Sequence, residues 1–258
     1  MTVPSKERVP VSLYIIIPAA GLSQRMGGTS SKQFIPIGGI PVLARTLLAF
    51  EEYCSEQQNS GPFTMHGIIV TSPESIDVVQ NICKDFKITF VEKIISGGAT
   101  RQGSVWNGIC TLHALPNPPA ASDIIFVHDG ARCFVDSGTL QRCFDGAKKY
   151  GVCTAAIPVK DTIKQADPAD GCKVIATPDR TTLYAIQTPQ AFIAELLVKS
   201  YTEGQIEKRA ATDDTSLAEM AGLPVYLVEG SYTNIKITTP DDLLWAELLT
   251  NHRKPVLP

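Results

Sequence analysis

Short runs of β-branched and other apolar residues recur along the chain, and longer segments with helical periodicity separate them. The apolar runs predict buried strands at residues 13–17, 67–71, 88–91, 124–128, 152–158 and 225–228. The periodic segments predict helices at residues 42–53, 75–86, 101–115, 139–150, 191–201 and 241–251. This alternation predicts an α/β fold with a mainly parallel sheet, in which ligands bind outside the carboxyl ends of the strands.

One polar stretch, residues 159–182, interrupts the pattern between two apolar runs. It is interpreted either as a mobile excursion or as a β-arm that packs on a partner subunit. The proline-containing stretch 115–122 is expected to be a surface loop. We therefore expect one domain over residues 12–252, after a disordered lead-in at 1–11. No second enzyme domain is expected, because the chain ends soon after the last predicted helix.

Composition narrows the class of protein. A net charge of −3 over 258 residues argues against a general nucleic-acid binder, which would show a basic excess. The seven cysteines are scattered and never spaced as C-x-x-C, which favours reduced thiols and a cytoplasmic location. The N-terminus lacks a signal-peptide pattern, and no apolar run approaches the roughly 20 residues of a membrane span, so no membrane partner is expected.

The first candidate for chemistry is the loop after the first predicted strand. Ala19, Ala20 and Gly21 are small, so backbone N–H groups there can approach phosphate oxygens closely. Arg25 and Lys32 add positive charge to the same loop. The spacing matches neither G-x-G-x-x-G nor G-x-x-x-x-G-K-[ST], which disfavours NAD binding and a P-loop NTPase. The alternative is an ordinary strand-to-helix turn with two solvated cations.

Two further loops follow predicted strands. The stretch S-G-G-A-T-R-Q-G-S, residues 96–104, opens a helix and suits a base edge or an anion; alternatively it is a glycine-rich turn with Thr100 as N-cap. Asp129, directly after a buried strand, is well placed to hold Mg²⁺ against a triphosphate, unless it is a cap or a loop ion pair. Arg132 can contact a second anion through its guanidinium fork. His128 is interpreted as a packed strand residue.

Weaker signals come later in the chain. Thr212 opens a T-D-D sequence typical of a helix N-cap with acidic first-turn residues. Lys236 alternates with two isoleucines and is either a solvated lysine or a phosphate ligand. The sequence contains no G-x-S-x-G or H-E-x-x-H motif. A phosphate ester can supply its own attacking oxygen, because its second pKa is about 6.

Taken in order, these motifs resemble one enzyme family. They are PAAG-x-x-x-R-M with KQF, GG-x-x-R-x-x-S-V, VHDGAR, VKDTIK, QTPQ-x-F, TDD and VEG-x-x-x-NIK, from about residue 13 to 247. The chain resembles the 2-C-methyl-D-erythritol 4-phosphate cytidylyltransferases of non-mevalonate isoprenoid biosynthesis. The resemblance implies a three-layer Rossmann-like nucleotidyltransferase fold, CTP and a sugar-alcohol phosphate as substrates, Mg²⁺ or another divalent cation, and a homodimer whose protruding β-arm reaches the partner's site.

The resemblance also implies roles for individual residues. Arg25 and Lys32 match the principal transition-state stabilisers. The nucleotide-side positions are Ala19, Ala20, Gly21, Gly98, Ala99, Arg101, Ser104 and Lys236. The positions implied to bind the sugar-alcohol phosphate, which is the acceptor of the reaction, are Asp129, Arg132, Thr162, Arg180 and Thr212. Asp129 is also implied to lie near Mg²⁺, and Thr162 and Arg180 are on the arm.

The sequence departs from the family pattern at a few positions. Ser23 stands where many members have glycine, Ala99 replaces an acidic residue of some members, and Cys133 replaces a common proline. None of these removes a charged group from the implied mechanism. Pentitol (ribitol) 5-phosphate cytidylyltransferases share several motifs and remain the alternative, although the D-T-I-K and D-R patterns of residues 161–164 and 179–180 favour methylerythritol phosphate. A non-catalytic nucleotide-binding homologue is the alternative from another class.

Overall fold

The computed structural model describes residues 11–21, 31–203 and 211–252. Strands and helices alternate along most of this part of the chain. The strands are β1 (Val11–Pro18), β2 (Pro36–Ile37), β3 (Ile40–Pro41), β4 (Phe63–Thr71), β5 (Val91–Ser96), β6 (Ile124–Val127), β7 (Val152–Pro158), β8 (Gln165–Ala166), β9 (Val174–Ala176), β10 (Tyr184–Ile193) and β11 (Tyr226–Glu229). The α-helices are α1 (Val42–Ser60), α2 (Ile76–Asp85), α3 (Arg101–His113), α4 (Ser137–Tyr150), α5 (Ala194–Glu203), α6 (Asp214–Met220) and α7 (Pro240–His252).

Seven strands form the central sheet, in the order β11-β7-β10-β6-β1-β4-β5. The neighbouring pairs are parallel except for β10, which runs antiparallel to both β6 and β7. The predicted mainly parallel sheet is therefore confirmed. Because β1 and β6 are parallel neighbours, their carboxyl ends lie side by side at one edge of the sheet.

Apolar residues cover both faces of this sheet. Along β1, Leu13, Ile15 and Ile17 face one side, where they pack with residues of α1, α2 and α4. Tyr14 and Ile16 face the other side, where they pack with α3, α5 and α6. Successive strand residues point to opposite faces, so a nearly continuous apolar run fills two cores at once. The result is the three-layer arrangement expected from the sequence.

Two predicted elements begin three residues too early, whereas the helix predicted at 42–53 and the strand predicted at 67–71 are longer than expected. The strand predicted at 88–91 begins only at Val91, because α2 ends in a turn in which Lys87 has φ 53° and the Ile88 N–H bonds the Cys83 carbonyl. The helix predicted at 191–201 begins only at Ala194. Residues 191–193 instead end β10, where Ala191 and Phe192 are buried between β6 and β7. A short apolar run does not distinguish the end of a strand from the start of a helix.

The polar stretch 159–182 contains the two-stranded antiparallel ribbon β8–β9, most of whose residues are exposed. Its apolar side chains include Ile163, Val174 and Ile175, which are 38%, 52% and 49% exposed. The lead-in predicted at 1–11 lies outside the described residues except for Val11, which begins β1. None of the described helices combines the length and apolar composition that a membrane span requires.

Candidate functional site

The loops that follow β1, β5 and β6 converge at the carboxyl edge of the sheet. The Gly130 N–H donates to the Pro18 carbonyl, which joins the loops after β6 and β1, and the Gly97 N–H donates to the Thr71 carbonyl. Between these loops lies a cavity of about 450 Å³. Its described lining consists of Pro18, Ala20, Gly21, Lys32, Gln33, Gly98, Ala99, Thr100, Arg101, Ser104, Asp129, Gly130, Ala131 and Lys236.

The glycine-rich turn before α3 forms one wall of this cavity. Thr100 is the N-cap of α3, because its side chain accepts a hydrogen bond from the Gly103 N–H at 3.0 Å. The Gly98 N–H donates to Ser104 Oγ at 3.1 Å. A Cβ atom at Gly98 would lie only 2.9 Å from the carbonyl carbon of Gly103, so this close turn requires glycine. Thr100 is therefore the N-cap that the sequence suggested, and the turn also lines a cavity; its binding of a base edge or an anion stays a prediction.

Three cationic side chains share the carboxylate of Asp129. Lys236 Nζ lies 2.8 Å from Asp129 Oδ2, and one guanidinium nitrogen of Arg101 lies 3.3 Å from Oδ1. Arg132 Nε is 3.7 Å from Oδ2. Burial alone would raise the pKa of Asp129, but Arg101, Lys236 and Arg132 lower it well below its usual value. Asp129 is therefore ionised, and it is held among three cationic groups, of which Arg101 also binds Asp214.

A second cavity of about 230 Å³ adjoins the same cluster. Its lining consists of Arg101, Asp129, Arg132, Ile186, Gln187, Thr188, Gln190, Thr212, Asp213 and Lys236. Arg101, Asp129 and Lys236 line both cavities and form the wall that they share. Arg132 is fixed here because it donates to the carbonyls of Asn234 at 2.8 Å and Ile186 at 3.3 Å. The structure thus has two adjoining cavities of different size that share three charged side chains.

His128, at the end of β6, supports the Asp129 loop from inside the core. Its Nε2 lies 3.1 Å from the Arg132 carbonyl, and its Nδ1 lies 3.1 Å from Thr188 Oγ1, which accepts from the Asp129 N–H. Because a carbonyl can only accept, Nε2 carries the proton and Nδ1 accepts from the Thr188 hydroxyl. Burial lowers the pKa of His128 to about 4. His128 is therefore a neutral packed residue, as predicted, and not a base facing the cavity.

Comparison with known proteins identifies the family. The sequence model described as 2-C-methyl-D-erythritol 4-phosphate cytidylyltransferase matches residues 13–252. The chain is 40% identical over 242 residues to the protein of that name from Synechococcus elongatus, covering 94% of this chain and 97% of that one. It is also 40% identical over 243 residues to the one from Symbiobacterium thermophilum, covering 94% and 93%.

The chain belongs to the 2-C-methyl-D-erythritol 4-phosphate cytidylyltransferase family.

Solved structures of the family share this fold. The 4-diphosphocytidyl-2C-methyl-D-erythritol synthase of Anaerococcus prevotii superposes with a TM-score of 0.76 at 27% identity, covering 93% of this chain and 96% of that chain. The cytidylyltransferase of Thermus thermophilus superposes with a TM-score of 0.71 at 29% identity, covering 94% and 100%. The Rossmann-like α/β architecture inferred from the sequence motifs is confirmed.

Most residues predicted for the site lie together. The larger cavity is lined by seven predicted nucleotide-side residues, namely Ala20, Gly21, Gly98, Ala99, Arg101, Ser104 and Lys236, and by Lys32 and Asp129. Arg132 and Thr212 line the smaller one. Ala19 differs from the prediction: it is buried, is not among the lining residues, and its N–H donates to the Val70 carbonyl at 2.7 Å, so this N–H is not available to a phosphate. Arg25, like Ser23, lies outside the described residues.

Thr162 and Arg180 are on the exposed stretch around the β8–β9 ribbon and line neither cavity. Arg180 donates to the Lys160 carbonyl at 3.0 Å. Their contact with the acceptor of the neighbouring subunit stays a prediction.

Sequence reasoning missed several buried polar residues in or behind the wall of the smaller cavity. Gln190, in the middle of β10, accepts from the N–H groups of Asp214 and Thr215 at 2.8 and 3.0 Å. Asp214 is fully buried and binds Arg101 through both carboxylate oxygens. The signal available in the sequence was Q-T-P-Q, in which polar residues and a proline interrupt an apolar run. Polar side chains that are buried in such a run need specific partners elsewhere in the chain.

Proposed function

We propose that this chain transfers the cytidylyl group of CTP to 2-C-methyl-D-erythritol 4-phosphate, giving 4-diphosphocytidyl-2-C-methyl-D-erythritol and pyrophosphate. One observation carries the proposal beyond family membership. Arg101, Asp129 and Lys236 form a common wall between a larger and a smaller cavity, and three cations surround one carboxylate there. Two anions bound in these adjoining cavities would contact the same two cationic side chains, Arg101 and Lys236.

The larger cavity suits the nucleotide. Its wall contains the exposed Gly21 of the loop after β1, the glycine-rich turn at Gly98 and Ala99, and the cation Lys32. Backbone N–H groups and a helix N-terminus favour anionic and polar ligands. The smaller cavity, with Arg132 and Thr212, suits the phosphate of the acceptor.

In the proposed reaction an oxygen of the acceptor phosphate attacks the α-phosphorus of CTP in line with the leaving group. The new P–O bond forms as the bond from the α-phosphorus to the β-phosphate oxygen breaks, and pyrophosphate leaves with the electron pair. No protein nucleophile or base is needed, because the attacking phosphate is already largely ionised near neutral pH. Arg25, Lys32 and Lys236 would stabilise the charge on the α-phosphoryl oxygens and on the leaving pyrophosphate.

Asp129 is the residue proposed to hold Mg²⁺. Within the described chain no group of three His, Cys, Asp or Glu residues could bind a metal ion. A site with one carboxylate nevertheless fits Mg²⁺, which usually keeps several waters and binds one or two carboxylates together with substrate phosphates. When bound, the ion would neutralise charge on the triphosphate. The contribution of the chain is an ionised Asp129 that Arg101 and Arg132 keep in place.

The functional unit is proposed to be a homodimer. Thr162 and Arg180 line neither cavity of their own chain, yet the family motif assigns them to the acceptor. This supports an arm that completes the site of the neighbouring subunit. The partly exposed Ile163, Val174 and Ile175 provide apolar surface for such a contact. All seven cysteines lie within the described residues and none of them forms a disulfide there, which supports a reducing, cytoplasmic location.

The decisive experiment measures pyrophosphate release from CTP with methylerythritol phosphate and, in parallel, with ribitol 5-phosphate. We expect faster turnover with methylerythritol phosphate and dependence on a divalent cation. Faster turnover with ribitol 5-phosphate would assign the other acceptor. Binding of CTP without pyrophosphate release with either acceptor would indicate a non-catalytic homologue.

A further inference from the structure

A chain of hydrogen bonds leads from the core into the wall shared by the two cavities. Tyr201, on α5, donates from Oη to Asp214 Oδ1 at 2.5 Å. Arg101 donates to both carboxylate oxygens of Asp214, at 3.0 Å to Oδ1 and at 2.8 Å to Oδ2. One of these guanidinium nitrogens is also the atom that lies 3.3 Å from Asp129. Asp214 itself lines neither cavity, but Arg101 connects it to Asp129, the carboxylate proposed to hold Mg²⁺.

Asp214 does not act as an ordinary acidic residue at the start of a helix. The preceding residue, Asp213, is already the N-cap of α6, because its Oδ1 accepts from the Ser216 N–H at 2.8 Å. The side chain of Asp214 is fully buried, and its backbone N–H is held by Gln190 of β10. The carboxylate thus has a fixed position relative to the sheet.

The energetics of burial explain why this carboxylate must have its partners. An unpaired buried carboxylate is strongly unfavourable, so Asp214 depends on the two charged hydrogen bonds from Arg101 and the one from Tyr201. The same bidentate contact with Asp214 limits the rotation of the Arg101 guanidinium. Burial lowers the pKa of Arg101, but the carboxylates of Asp214 and Asp129 raise it more, so the group stays charged.

We propose that Asp214, held by Tyr201, is a positioning residue that fixes the guanidinium of Arg101 in the wall between the nucleotide cavity and the acceptor cavity. Arg101 lines both cavities, so its orientation decides how the two anions are placed relative to each other and to Asp129. Asp214 prevents Arg101 from turning fully onto Asp129 when the ligands are absent. The proposal rests on the proposed function for its kinetic test, but its structural test is independent of turnover.

The kinetic test uses Asp214→Asn and Tyr201→Phe. Asp214→Asn keeps the shape but loses the charge, and we expect kcat/KM to fall on the order of 10²-fold, because displacement of a positioned group by about 1 Å has effects of that size. Tyr201→Phe removes one hydroxyl and keeps the ring stacked on Trp106, so a decrease of about 2- to 10-fold is expected.

Two control variants separate positioning from general loss of stability. Asp136→Asn removes the charge of another aspartate at a helix N-terminus, the N-cap of α4. Tyr53→Phe removes another buried phenol hydroxyl, which donates to Gln141 at 3.0 Å. Tyr53→Phe is expected to lower the melting temperature about as much as Tyr201→Phe, whereas Asp136→Asn should lower it less than Asp214→Asn, because asparagine is also a good N-cap. Both controls should leave kcat/KM within about threefold of the original chain, since neither contacts the site.

Coupling to Arg101 is the distinguishing readout. If Asp214 acts through Arg101, then adding Asp214→Asn to Arg101→Gln should lower kcat/KM by less than about threefold beyond Arg101→Gln alone. Independent effects that multiply in the double variant would overturn the proposal. A folded Asp214→Asn enzyme with unchanged kcat/KM would also overturn the proposal. If Asp214→Asn does not fold, Tyr201→Phe is combined with Arg101→Gln and compared in the same way.

Nuclear magnetic resonance of ¹⁵N-arginine-labelled protein tests the positioning directly. The Arg101 guanidinium signals, assigned by their loss in Arg101→Lys, should show slow rotation in the original chain and averaged or broadened signals in Asp214→Asn. Unchanged signals would overturn the proposal even in an active enzyme. An original chain that shows no turnover would refute the proposed function, and these signals would still decide the role of Asp214.

Discussion

Lys236 Nζ lies 2.8 Å from Asp129 Oδ2, and this ion pair joins the loop after β6 to the segment between β11 and α7. The side chain of Lys236 is 38% exposed whereas that of Asp129 is 10% exposed, and Lys236 lines the larger cavity. The side chain of Lys236 is therefore accessible to a ligand in that cavity. Of the two interpretations of Lys236 that the sequence left open, this position favours the phosphate ligand over the solvated lysine.

Replacement of Lys236 should therefore impair catalysis more than stability. Asp129 keeps Arg101 and Arg132 as partners in Lys236→Met, so the fold should remain intact. Loss of one donor to a developing charge is expected to lower kcat/KM by about 10²–10³-fold. The measurement is pyrophosphate release, with Lys149→Met on α4 as the control. Equal activity of the two variants would show that Lys236 does not contact the substrates.

Lys32 provides the second catalytic prediction. It lines the larger cavity at the start of the 3-10 turn 32–34, and Arg25 is assigned to the same loop by the family motif. We expect Lys32→Ala and Arg25→Ala each to lower kcat by at least about 10²–10³-fold without unfolding the chain. Lys84→Ala, in the last turn of α2, is the control. Nearly unchanged turnover in both site variants would refute the proposed mechanism.

Removal of the metal should stop the reaction. Chelation by EDTA is expected to abolish pyrophosphate release, and Mg²⁺ should restore it. Asp129→Asn should raise the Mg²⁺ concentration for half-maximal rate by about tenfold or more, since even the loss of a residue that only orients a metal ligand costs about 10–100-fold. Asp123→Asn, just before β6, is the control. An unchanged Mg²⁺ requirement in Asp129→Asn would exclude this residue as a ligand.

The sequence was sufficient to predict the cores because their signal is local. Along β1 and β6 nearly every residue is apolar, as expected for strands covered on both faces, and the structure buries them as predicted. The same signal did not show β10, where Gln187, Thr188, Pro189 and Gln190 interrupt the apolar run. Those polar side chains are buried only because partners far along the chain satisfy them, for example Asp213 and Ser231.

The residues of the candidate site could likewise be predicted only where the signal was local. Residues on the loops after β1, β5 and β6 could be assigned because chemistry at the carboxyl ends of parallel strands follows from the fold class. Asp214 could not, since an acidic residue in the first turn of a helix is explained locally by the helix dipole. Its bidentate contact with Arg101 depends on the first turns of α6 and α3 meeting in the fold, which no local pattern records.

Stability should fall in mildly acidic solution because of His128. Its pKa is about 4 in the folded chain, against about 6.5 when unfolded. Below about pH 6.5 the unfolded chain binds a proton that the folded chain does not. The contribution, about 3 kcal/mol from a difference of that size, is therefore fully present above about pH 6.5 and is lost as the pH falls toward 4.

His128→Gln tests this pH dependence, because an amide can still donate to the Arg132 carbonyl but does not titrate. The free energy of unfolding is measured by urea denaturation between pH 4 and 7. We expect the variant to lose less stability over this range than the original chain. Parallel pH curves for His128→Gln and the original chain would contradict the prediction.

A mixed dimer tests whether the arm acts on the partner. Lys32 lines the cavity, whereas Arg180 lies on the exposed stretch after β9, so the two residues would serve different subunits' sites. Lys32→Ala and Arg180→Ala are expected to be nearly inactive as separate homodimers. They are co-expressed with two different affinity tags, and the mixed dimer is isolated by using both.

In the mixed dimer, one site would combine both substitutions and the other would combine an intact cavity with an intact arm. If the arm completes the partner's site, activity should therefore return to about half that of the original dimer, because a two-fold dimer has two equivalent sites. If each arm served its own cavity, both sites would carry one substitution and no activity would return. Sedimentation analysis must also show a dimer, and a monomer with full activity would contradict the prediction directly.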